Sequence, residues 1–572
     1  MQIIKSLVKL LFFLSPALTS AQTTFLNQGS KDAHFIDRLE IKQQKNTDLN
    51  FSALRPFSRR AIVAQAEFID SARMGYTDSA GRDKYKEWNT QDLSDVDEYN
   101  LQHFLMNNSE WVSSSKKDFL SKKPLVGSLY KTKANLLEVN QKDFFLALNP
   151  VLQFEGGKES ANNETLFINT RGLTARGTIA RKIAFSTYLT DNQERGPLFY
   201  QQRVNSTNAV PGVGFYKPFK STGYDFFDAR GYISFNATKY IDIQFGYDKN
   251  FIGNGYRSLF LSDWGNSYLF LKLNTKIWKF NYQNLFMELM PQFRKAGDTL
   301  LDRKYAVMHH LSMNVSKWLN IGVFEAVIFG RRNHFDFEYL NPIIFYRSIE
   351  GNVGSPDNAL VGLDFKGNLL HHVQFYGQFL LDEFVLSAIL RHPYNWVNKW
   401  GIQAGVKYMD AFGISNLDLQ VETNRVRPFT YSHYDSVSNY THYNQPLAHP
   451  LGANFQEFIG IINYQPKPKW YINLKAIYYQ QGLDSAGKNY GGNIFEDYRT
   501  RSMDDGFKVA GGNKATCLMG FLQVSYEWKE NLFFDLNLQY RSYKTALAPK
   551  ENNTTVISAG LRLNMFRRDH DF

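Results

Sequence analysis

The chain has 572 residues, a formal charge of +11, 43% hydrophobic and 16% aromatic residues, and a mean hydropathy of −0.39. This composition excludes a disordered or collagen-like chain, and a single cysteine, Cys517, excludes a disulfide scaffold. Beyond residue 21, no stretch approaches the ~18 consecutive apolar residues that a membrane-spanning helix needs. The basic charge favours an anionic partner, such as an acidic glycan or a lipid phosphate, and no basic run or recognition motif indicates nucleic acid.

Residues 1–21 have the features of a secretory signal peptide. Lys5 and Lys9 supply positive charge, residues 10–14 form a short apolar core, and residues 19–21 (Thr-Ser-Ala) offer small side chains for cleavage. No cysteine stands at the cleavage site, so we expect no lipid anchor. The alternative is a buried N-terminal helix. The sequence therefore predicts an exported protein.

Residues 22–142 are predicted to form a helical or irregular region, because no period-two alternation runs through them. One helix is expected over 58–73 (SRRAIVAQAEFIDSAR), with Ser58 as its N-cap. A second helix is expected over 95–107, with Ser94 or the following Asp as its N-cap. Both helices are short and amphipathic, so we expect them to pack against a larger body.

From residue 143 onward, the hydrophobic pattern changes to a period of two. In 532–543 (LFFDLNLQYRSY), one face carries Phe534, Leu536 and Leu538, and the other carries Asp, Asn and Gln. An apolar face opposite a polar face is typical of a half-buried strand. A single strand of this kind also fits a soluble sandwich whose polar face meets water.

Eighteen strands of this kind can be marked in the sequence. Their predicted ranges are 143–154, 164–174, 176–189, 225–237, 239–248, 267–275, 278–290, 303–315, 318–330, 357–367, 369–381, 396–409, 413–425, 455–464, 468–481, 515–528, 531–543 and 554–566. Most have about ten residues or more, which is enough for a tilted membrane strand. Strands of soluble proteins favour about five or six residues.

The connections between the predicted strands alternate in length. Those after even-numbered strands are short, such as Ala175, and those after odd-numbered strands are longer, including 155–163 and 544–553. Short turns at one rim and long loops at the other are typical of outer-membrane barrels. The sequence therefore predicts a mainly β fold, an 18-stranded antiparallel outer-membrane β-barrel over 143–572. The long loops would be extracellular, and region 22–142 would be a small periplasmic helical region.

The aromatic excess fits this barrel, because rings cluster where the strands should cross the membrane interfaces. These positions are Phe144, Phe145, Trp278, Trp318, Trp396, Trp400, Trp470, Tyr471, Trp528, Phe533 and Phe534. Any one of them also fits an ordinary core. The sequence ends in Phe572, as outer-membrane barrels recognised by the insertion machinery usually do.

Enzyme motifs are nearly absent. The patterns HExxH, GxSxG and Walker A do not occur, and 253–258 (GNGYRS) imitates only the start of a dinucleotide fingerprint, inside a predicted loop. The pairs at 309–310 and 371–372 place two histidines side by side in predicted strands, where neighbours point to opposite faces and cannot share a metal ion. Solvated lumen histidines are expected instead. The sequence predicts no catalytic residue, no cofactor and no metal site.

The long loops are rich in aromatic, amide and basic side chains, which suits carbohydrate binding. Sugar rings stack their CH faces on aromatic rings, and their hydroxyls need planar donors and acceptors. The candidate glycan-contacting residues are Asn254, Tyr256, Arg257, Asp263, Trp264, Tyr394, Trp396, Tyr431, His433, Tyr434, His442 and Tyr443. The alternative is that these loops fold over or into the lumen and plug it, and both roles are compatible.

Four segments resemble the Wzi capsule-assembly family and, within it, the RemB-like gliding-motility proteins of Bacteroidota. They are 54–59 (LRPFSR), 253–263 (GNGYRSLFLSD), 449–452 (HPLG) and 484–495 (DSAGKNYGGNIF). The resemblance spans most of the chain after the signal peptide. It implies an eighteen-stranded barrel with a periplasmic helical bundle and a non-enzymatic role at the cell surface. The loops here are longer than in enterobacterial capsule lectins, so no binding residue is carried over from the family.

The predicted function is that of a non-enzymatic outer-membrane barrel that serves gliding motility, attachment of exopolysaccharide (capsule), or both. Its expected partners are outer-membrane lipid, a surface polysaccharide, and periplasmic or motility-machinery proteins. The alternative is a porin-like channel for small solutes, because inward side chains such as Asp242, Asp418 and Asp535 would give a hydrated lumen.

Overall fold

Alternating strands close into one antiparallel barrel, whose last strand pairs with its first. The computed structural model describes residues 23–27, 29–44, 48–73, 93–294, 300–331, 333–354, 356–382, 391–485 and 487–572. The predicted signal peptide, residues 1–21, lies outside the described residues. Closure removes the free edges that a sheet would otherwise expose, so every wall strand pairs with a neighbour on both sides.

Eighteen long strands form the wall, and they confirm the predicted fold class. They are β1 (Phe144–Glu159), β2 (Asn162–Ile179), β3 (Ile183–Arg195), β4 (Gly223–Asn236), β5 (Ile241–Asp248), β6 (Tyr268–Ile277), β7 (Phe280–Leu289), β8 (Lys304–Asn314), β9 (Leu319–Phe329), β10 (Asn358–Leu369), β11 (Val373–Leu381), β12 (Trp400–Tyr408), β13 (Leu417–Val426), β14 (Phe455–Lys467), β15 (Trp470–Leu483), β16 (Asn513–Lys529), β17 (Leu532–Thr545) and β18 (Ala548–Leu563). Each has its main overlap with a different predicted strand.

The connections define two different ends of the barrel. Eight short connections meet at one end, here called the turn end: 180–182, 237–240, 278–279, 315–318, 370–372, 409–416, 468–469 and 530–531. Seven long loops meet at the other end, the loop end: 196–222, 249–267, 290–303, 330–357, 382–399, 427–454 and 484–512. The alternation of short and long connections is therefore confirmed for most of the wall.

Three predicted connections are wrong in place or length. The long loops expected at 155–163 and 544–553 are two-residue turns, because β1, β2, β17 and β18 pair further than their apolar alternation extends. Apart from Ala161, residues 155–163 (EGGKESANN) are polar or glycine, so strand pairing there has no alternating hydrophobic pattern in the sequence. The turn expected at Ala175 lies at 180–182 for the same reason.

The predicted apolar faces point outward. On β17, Phe534, Leu536 and Leu538 are exposed on the outer wall, while Asp535 points into the lumen and pairs with Arg562 at 2.8 Å. Exposed tryptophans surround the turn end of the outer wall, as an interface girdle requires. They are Trp278, Trp318, Trp470 and Trp528.

Three helices precede the barrel, namely α1 (Lys31–Gln43), α2 (Arg59–Arg73) and α3 (Asp95–Asn107). The predictions of α2 and α3 are confirmed, and Ser94 caps α3 in a capping box with Asp97. Ser58 accepts a hydrogen bond from the Ala61 N–H at 3.3 Å, as expected for the N-cap of α2. Helix α1 was not predicted from the sequence. Among the described residues, no helix is long and apolar enough to cross a membrane.

The helical region packs into the turn end of the barrel. It has an apolar core of its own, which includes Phe35, Leu39 and Phe104. Beyond this core, buried charges of α1 face the wall: Glu40 pairs with Lys366 of β10 at 2.6 Å. Burying such charges is tolerable only when each has a partner of opposite sign.

Two segments from the loop end fold into the lumen. Residues 249–267 turn inward, and Phe251–Ile252 pair there with Leu54–Arg55, which reach up from the helical region. Residues 427–454 pack beside them, with Tyr440 donating a hydrogen bond to the Phe260 carbonyl at 2.6 Å. The loops also carry helices α4 (Leu198–Thr207) and α5 (Tyr346–Asn352).

Residues 564–572 leave β18 and also turn into the lumen. Phe572 packs there against Phe199 and Trp264, with ring centroids 6.0 and 5.8 Å apart. Phe572 therefore does not lie on a wall strand, unlike the terminal residue expected of a barrel, because β18 already ends at Leu563.

The histidine pairs take three different environments. His310 faces the lumen and lies 3.0 Å from Asp364, as expected. His309 faces outward, so the expectation of a lumen histidine is wrong there. His371 and His372 lie in the turn 370–372 and not in a strand, because β10 ends at Leu369.

Candidate functional site

Parts of three loops converge at the loop end. They belong to residues 391–399, 427–454 and 487–512, and the buried Arg427 joins them. Its guanidinium donates to the carbonyls of Asn398 at 3.0 Å, Phe507 at 2.7 Å and Asn395 at 3.0 Å. Arg427 lies at the start of 427–454, and its guanidinium binds backbone carbonyls of the other two loops. These hydrogen bonds fix the three loops relative to each other.

The converging loops bring four rings together, here called the outer aromatic cluster: Trp396, His433, Tyr434 and Tyr498. The rings of Trp396 and Tyr498 lie 4.8 Å apart, and those of His433 and Tyr434 lie 4.2 Å apart. Tyr498 connects the two pairs, at 6.3 Å from Tyr434 and 6.1 Å from His433. Trp396, Tyr434 and Tyr498 are half-buried, so part of each ring surface is open to solvent.

Two arginines border the outer aromatic cluster. The Arg501 guanidinium lies 3.9 Å from the centroid of the Trp396 ring, and that of Arg499 lies 5.1 Å from the Tyr434 ring. Arg499 also pairs with Asp497 at 2.7 Å. Slight burial would raise the pKa of Asp497, but hydrogen bonds from the Arg499 side chain and N–H hold that pKa below its ordinary value. The pair is therefore ionised at neutral pH.

A further exposed ring lies beside this cluster. Tyr394 is exposed, and the Lys508 ammonium lies 5.4 Å from its ring. The loops here are held by the Phe507 N–H, which donates to the Tyr394 carbonyl at 2.9 Å. The neighbouring Asn395 donates to Asp505 at 3.2 Å. The surface thus combines aromatic rings, amides and paired charges within one small region.

This combination of side chains suits a carbohydrate carrying carboxylates. Aromatic rings offer flat apolar surfaces to the CH faces of sugar rings. Planar guanidinium groups bind carboxylates with two parallel hydrogen bonds. The outer aromatic cluster offers an aromatic ring and a guanidinium group side by side, since Arg501 lies 3.9 Å from the centroid of the Trp396 ring.

A second group of predicted residues lies inside the lumen: Asn254, Tyr256, Arg257, Asp263 and Trp264. All five belong to the inward loop 249–267, and all except Asn254 line a lumen cavity of about 510 Å³. Arg257 pairs with Asp571 at 3.2 Å, and Lys475 donates to the Tyr256 hydroxyl at 2.6 Å. These side chains join the inward loop to residues 564–572 and to the wall.

The remaining predicted residues, Tyr431, His442 and Tyr443, are buried among the lumen segments. The Tyr431 hydroxyl donates to the Leu259 carbonyl at 2.8 Å. His442 lies between the Ser267 carbonyl, 3.0 Å from Nε2, and the Met290 N–H, 3.1 Å from Nδ1. These contacts fill the lumen, and they leave little ring surface for a ligand.

The structure therefore unites four of the twelve predicted residues at the loop-end surface: Tyr394, Trp396, His433 and Tyr434. It adds Tyr498, Arg499 and Arg501, which sequence reasoning missed. The signal was present, because 497–501 (DYRTR) places aromatic and basic residues side by side in a long loop. That the twelve predicted residues contact a glycan stays a prediction. Within the described part of the chain, no cluster of His, Cys, Asp and Glu has the arrangement of a metal site.

One family model matches this chain over residues 171–556, and its description is "Capsule assembly protein Wzi". No curated protein sequence matches the chain. The family model covers most of the wall strands and the three converging loops.

Among solved structures, the chain is similar in fold to Wzi of Escherichia coli, described as an outer membrane protein involved in group 1 capsule assembly and a carbohydrate-binding β-barrel. The identity is 12%, the TM-score is 0.55, and the match covers 96% of this chain and 100% of that chain. OprD of Pseudomonas aeruginosa matches with 10% identity and a TM-score of 0.40, over 73% of this chain and 95% of that chain. OccAB2 of Acinetobacter baumannii matches with 9% identity and a TM-score of 0.40, over 73% and 97%.

Proposed function

The chain belongs to the Wzi capsule-assembly family, and from this premise we propose that it is a non-enzymatic outer-membrane barrel that holds an acidic exopolysaccharide at the cell surface. The long loops would be extracellular and the helical region 22–142 periplasmic. The polysaccharide would bind the outer aromatic cluster and its bordering arginines. No covalent chemistry is needed for this role, since retention requires only binding.

The observation that carries this proposal is the convergence of Trp396, Tyr434 and Tyr498 beside Arg499 and Arg501. These residues come from three loops that are distant in sequence, yet the Tyr498 ring lies 4.8 Å from that of Trp396 and 6.3 Å from that of Tyr434. Clustered rings with open faces are costly in water, so a ligand that covers them gains hydrophobic free energy.

The net charge of the chain supports an acidic ligand. A formal charge of +11 attracts a polyanion over a distance of about one Debye length, roughly 8–10 Å at physiological salt. Arg499 and Arg501 then supply directed contacts at the surface. We therefore expect uronic-acid or similarly charged sugars to bind more tightly than neutral ones.

A role in gliding motility is a second part of the proposal, and its support is the resemblance to RemB-like proteins of Bacteroidota. A barrel that binds polysaccharide at the cell surface and binds motility-machinery or other periplasmic proteins at its turn end would transmit force between them. The helical region at the turn end is the surface that such periplasmic partners would contact.

A porin-like channel is the alternative function. The lumen cavity of about 510 Å³ favours it, because it holds space for solvent between the two ends. The lumen segments 249–267, 427–454 and 564–572 favour the anchoring role, since they occupy the space a solute would cross.

The test replaces Trp396, Tyr498 and Arg499 singly with alanine in cells that make the exopolysaccharide. Purified variants are then titrated with that polysaccharide at low and high salt. We expect each substitution to weaken binding about tenfold and to reduce retained polysaccharide on cells. The effect of Arg499→Ala should shrink at high salt.

Tyr240→Ala is the matched control, because Tyr240 is an exposed tyrosine at the opposite, turn end of the barrel. It should leave binding and retention unchanged. If the three loop-end variants bind and retain polysaccharide as the unmodified protein does, at equal surface levels, the outer aromatic cluster is not the binding site.

A further inference from the structure

Three polar side chains stand in register on the outer wall of the barrel. Asn284 of β7 pairs with His309 of β8, and His309 pairs with Glu325 of β9. All three belong to the outward set of their strands, whose other members include Leu311 and Val323. We call these three residues the polar row. A polar row on an otherwise apolar outer wall is unexpected, because that surface faces the hydrocarbon.

The polar row also lies at membrane depth and not at a rim. Asn284 stands six residues from Trp278, which belongs to the exposed tryptophans of the turn end. Strands rise about 3.3 Å per residue and tilt by about 35–45°, so six residues climb roughly 15 Å. The apolar band of such barrels is about 25 Å tall. Uncovered, the polar row would therefore stand in hydrocarbon.

A segment of the loop between β9 and β10 covers the polar row from outside. This segment, residues 333–354, is here called the strap. Its Pro342 carbonyl accepts a hydrogen bond from the Asn284 amide at 2.9 Å. Glu325 accepts the backbone N–H groups of Tyr346 at 3.0 Å and Arg347 at 2.9 Å.

The strap completes the cover with aromatic contacts. The His309 and Tyr346 rings lie 3.8 Å apart, and Tyr339 stacks on Phe329 of the wall at 4.7 Å. At its base, Arg331 pairs with Asp357 at 2.6 Å, which closes the loop across neighbouring strands. Asn284 and Glu325 thus form hydrogen bonds with the strap, whereas His309 contacts it only through its ring.

The outward side of the strap is strongly apolar. Ile343 is 85% exposed, Phe337 79% and Phe345 56%, and Leu340 and Ile344 are exposed beside them. The strap also exposes polar side chains, including Asn333, His334, Glu338, Asn341, Arg347 and Ser348. The Asn341 side chain accepts the Ile343 N–H at 3.1 Å. Five exposed apolar side chains within residues 337–345 nevertheless mark an interaction site.

We propose that the strap is embedded in the membrane and that its partner is the acyl chains of the leaflet at the loop end. This inference rests on the membrane location proposed above. Its apolar side continues the lipid-facing surface of the same wall, where Val323 and Leu363 are exposed. The polar row then serves as an attachment point that holds the strap to the wall through hydrogen bonds. The strap covers the polar row and exposes its own apolar side chains to the lipid.

The experiment places a nitroxide spin label at Ile343→Cys in the full chain, with the buried Cys517 replaced by alanine. The protein is reconstituted in dioleoylphosphatidylcholine vesicles. Collision rates are measured with oxygen, which enters hydrocarbon, and with a water-soluble nickel chelate, which does not. Val421→Cys is the lipid-facing control, because Val421 is 63% exposed on the outer wall. Ser502→Cys is the water-facing control, on an exposed loop.

We expect the label at position 343 to match the one at 421, with high oxygen and low nickel accessibility. A label that matches position 502 overturns the inference, because the strap then lies in water. Dipolar broadening between labels, lost on dilution with unlabelled protein, also overturns it, since a second copy would then cover the strap. If Val421 itself is nickel-accessible, the membrane location fails and not the strap alone.

Discussion

Arg38 of α1 binds Asp418 of β13 inside the turn end of the barrel, and both side chains are buried. The same guanidinium pairs with Asp97 of α3 at 2.8 Å and with Asp410 at 3.1 Å. One cation therefore joins two helices to the wall. The attraction of Asp97 and Asp418 outweighs the cost of burial and raises the pKa of Arg38 above its ordinary value.

Arg38→Ala should release the helical region from the barrel. The substitution removes the cation that three carboxylates share, although Lys42 still pairs with Asp97 and Asp410 at 2.8 and 2.7 Å. We expect a cost of about 1.5–3 kcal/mol, since hydrogen bonds between buried charged groups are lost. We expect amide hydrogen exchange to quicken in α1 and α3, while the wall strands keep their protection. Lys123→Ala removes an exposed cation of the same region and should change nothing. Unaltered exchange in α1 would show that its apolar core alone holds the region.

Arg257→Ala and Arg499→Ala should separate the lumen group from the outer aromatic cluster. Arg257 is buried between Asp571 at 3.2 Å and Glu457 at 3.6 Å. Without it, these carboxylates keep Lys475 and His449 as partners. We expect a loss of about 1.5–3 kcal/mol in the free energy of unfolding, because hydrogen bonds between buried charged groups are lost. Arg499 is exposed, so its removal should leave the free energy of unfolding almost unchanged. Urea unfolding in detergent measures both, and equal stability losses would contradict the distinction.

The barrel could be predicted because its signal is local. Each wall strand alternates apolar and polar residues, and the lengths of the connections then fix the topology. Helix α1 (KDAHFIDRLEIKQ) has no such signal. Its buried charges resemble a solvated surface in the sequence, and their partners lie far away: Lys366 follows Glu40 by more than three hundred residues.

The candidate site could be predicted only in part, for a similar reason. Trp396 and Tyr434 stand in long loops and are themselves partly exposed, as the composition of these loops indicated. Tyr256 and Arg257 stand in a loop of similar composition that turns inward. What decides the direction is Asp571, which is separated from Arg257 by 314 residues. No local pattern contains that contact.

The filled lumen predicts a low conductance. Residues 564–572 place Phe572 between Phe199 and Trp264, and Arg203 lies 5.6 Å from the same ring. In planar bilayers the protein should show no large steady open state, and deletion of residues 567–572 should raise the conductance only in part, because segments 249–267 and 427–454 stay in the lumen. Retained heat-modifiable migration would show that the shortened barrel still folds. A large steady conductance of the unshortened protein would instead support the channel function.

Acidification should loosen the lumen segment 427–454 through His442. Burial lowers the pKa of His442 to about 4, against an ordinary value of 6.5, and the nearby Lys304 ammonium acts in the same direction. The neutral ring accepts the Met290 N–H and donates to the Ser267 carbonyl, so protonation would break the first of these hydrogen bonds. As pH falls from about 6.5 to about 4, His442 binds a proton when segment 427–454 is open but stays neutral when the segment is packed. The packed state therefore loses stability relative to the open state across that pH range.

Hydrogen exchange of 427–454, corrected for intrinsic rates, should therefore quicken between pH 7.5 and 5.0. His442→Gln should abolish this dependence, whereas substitution of the exposed His392 by Gln should preserve it. A pH dependence that survives in the His442 variant would assign it to another group.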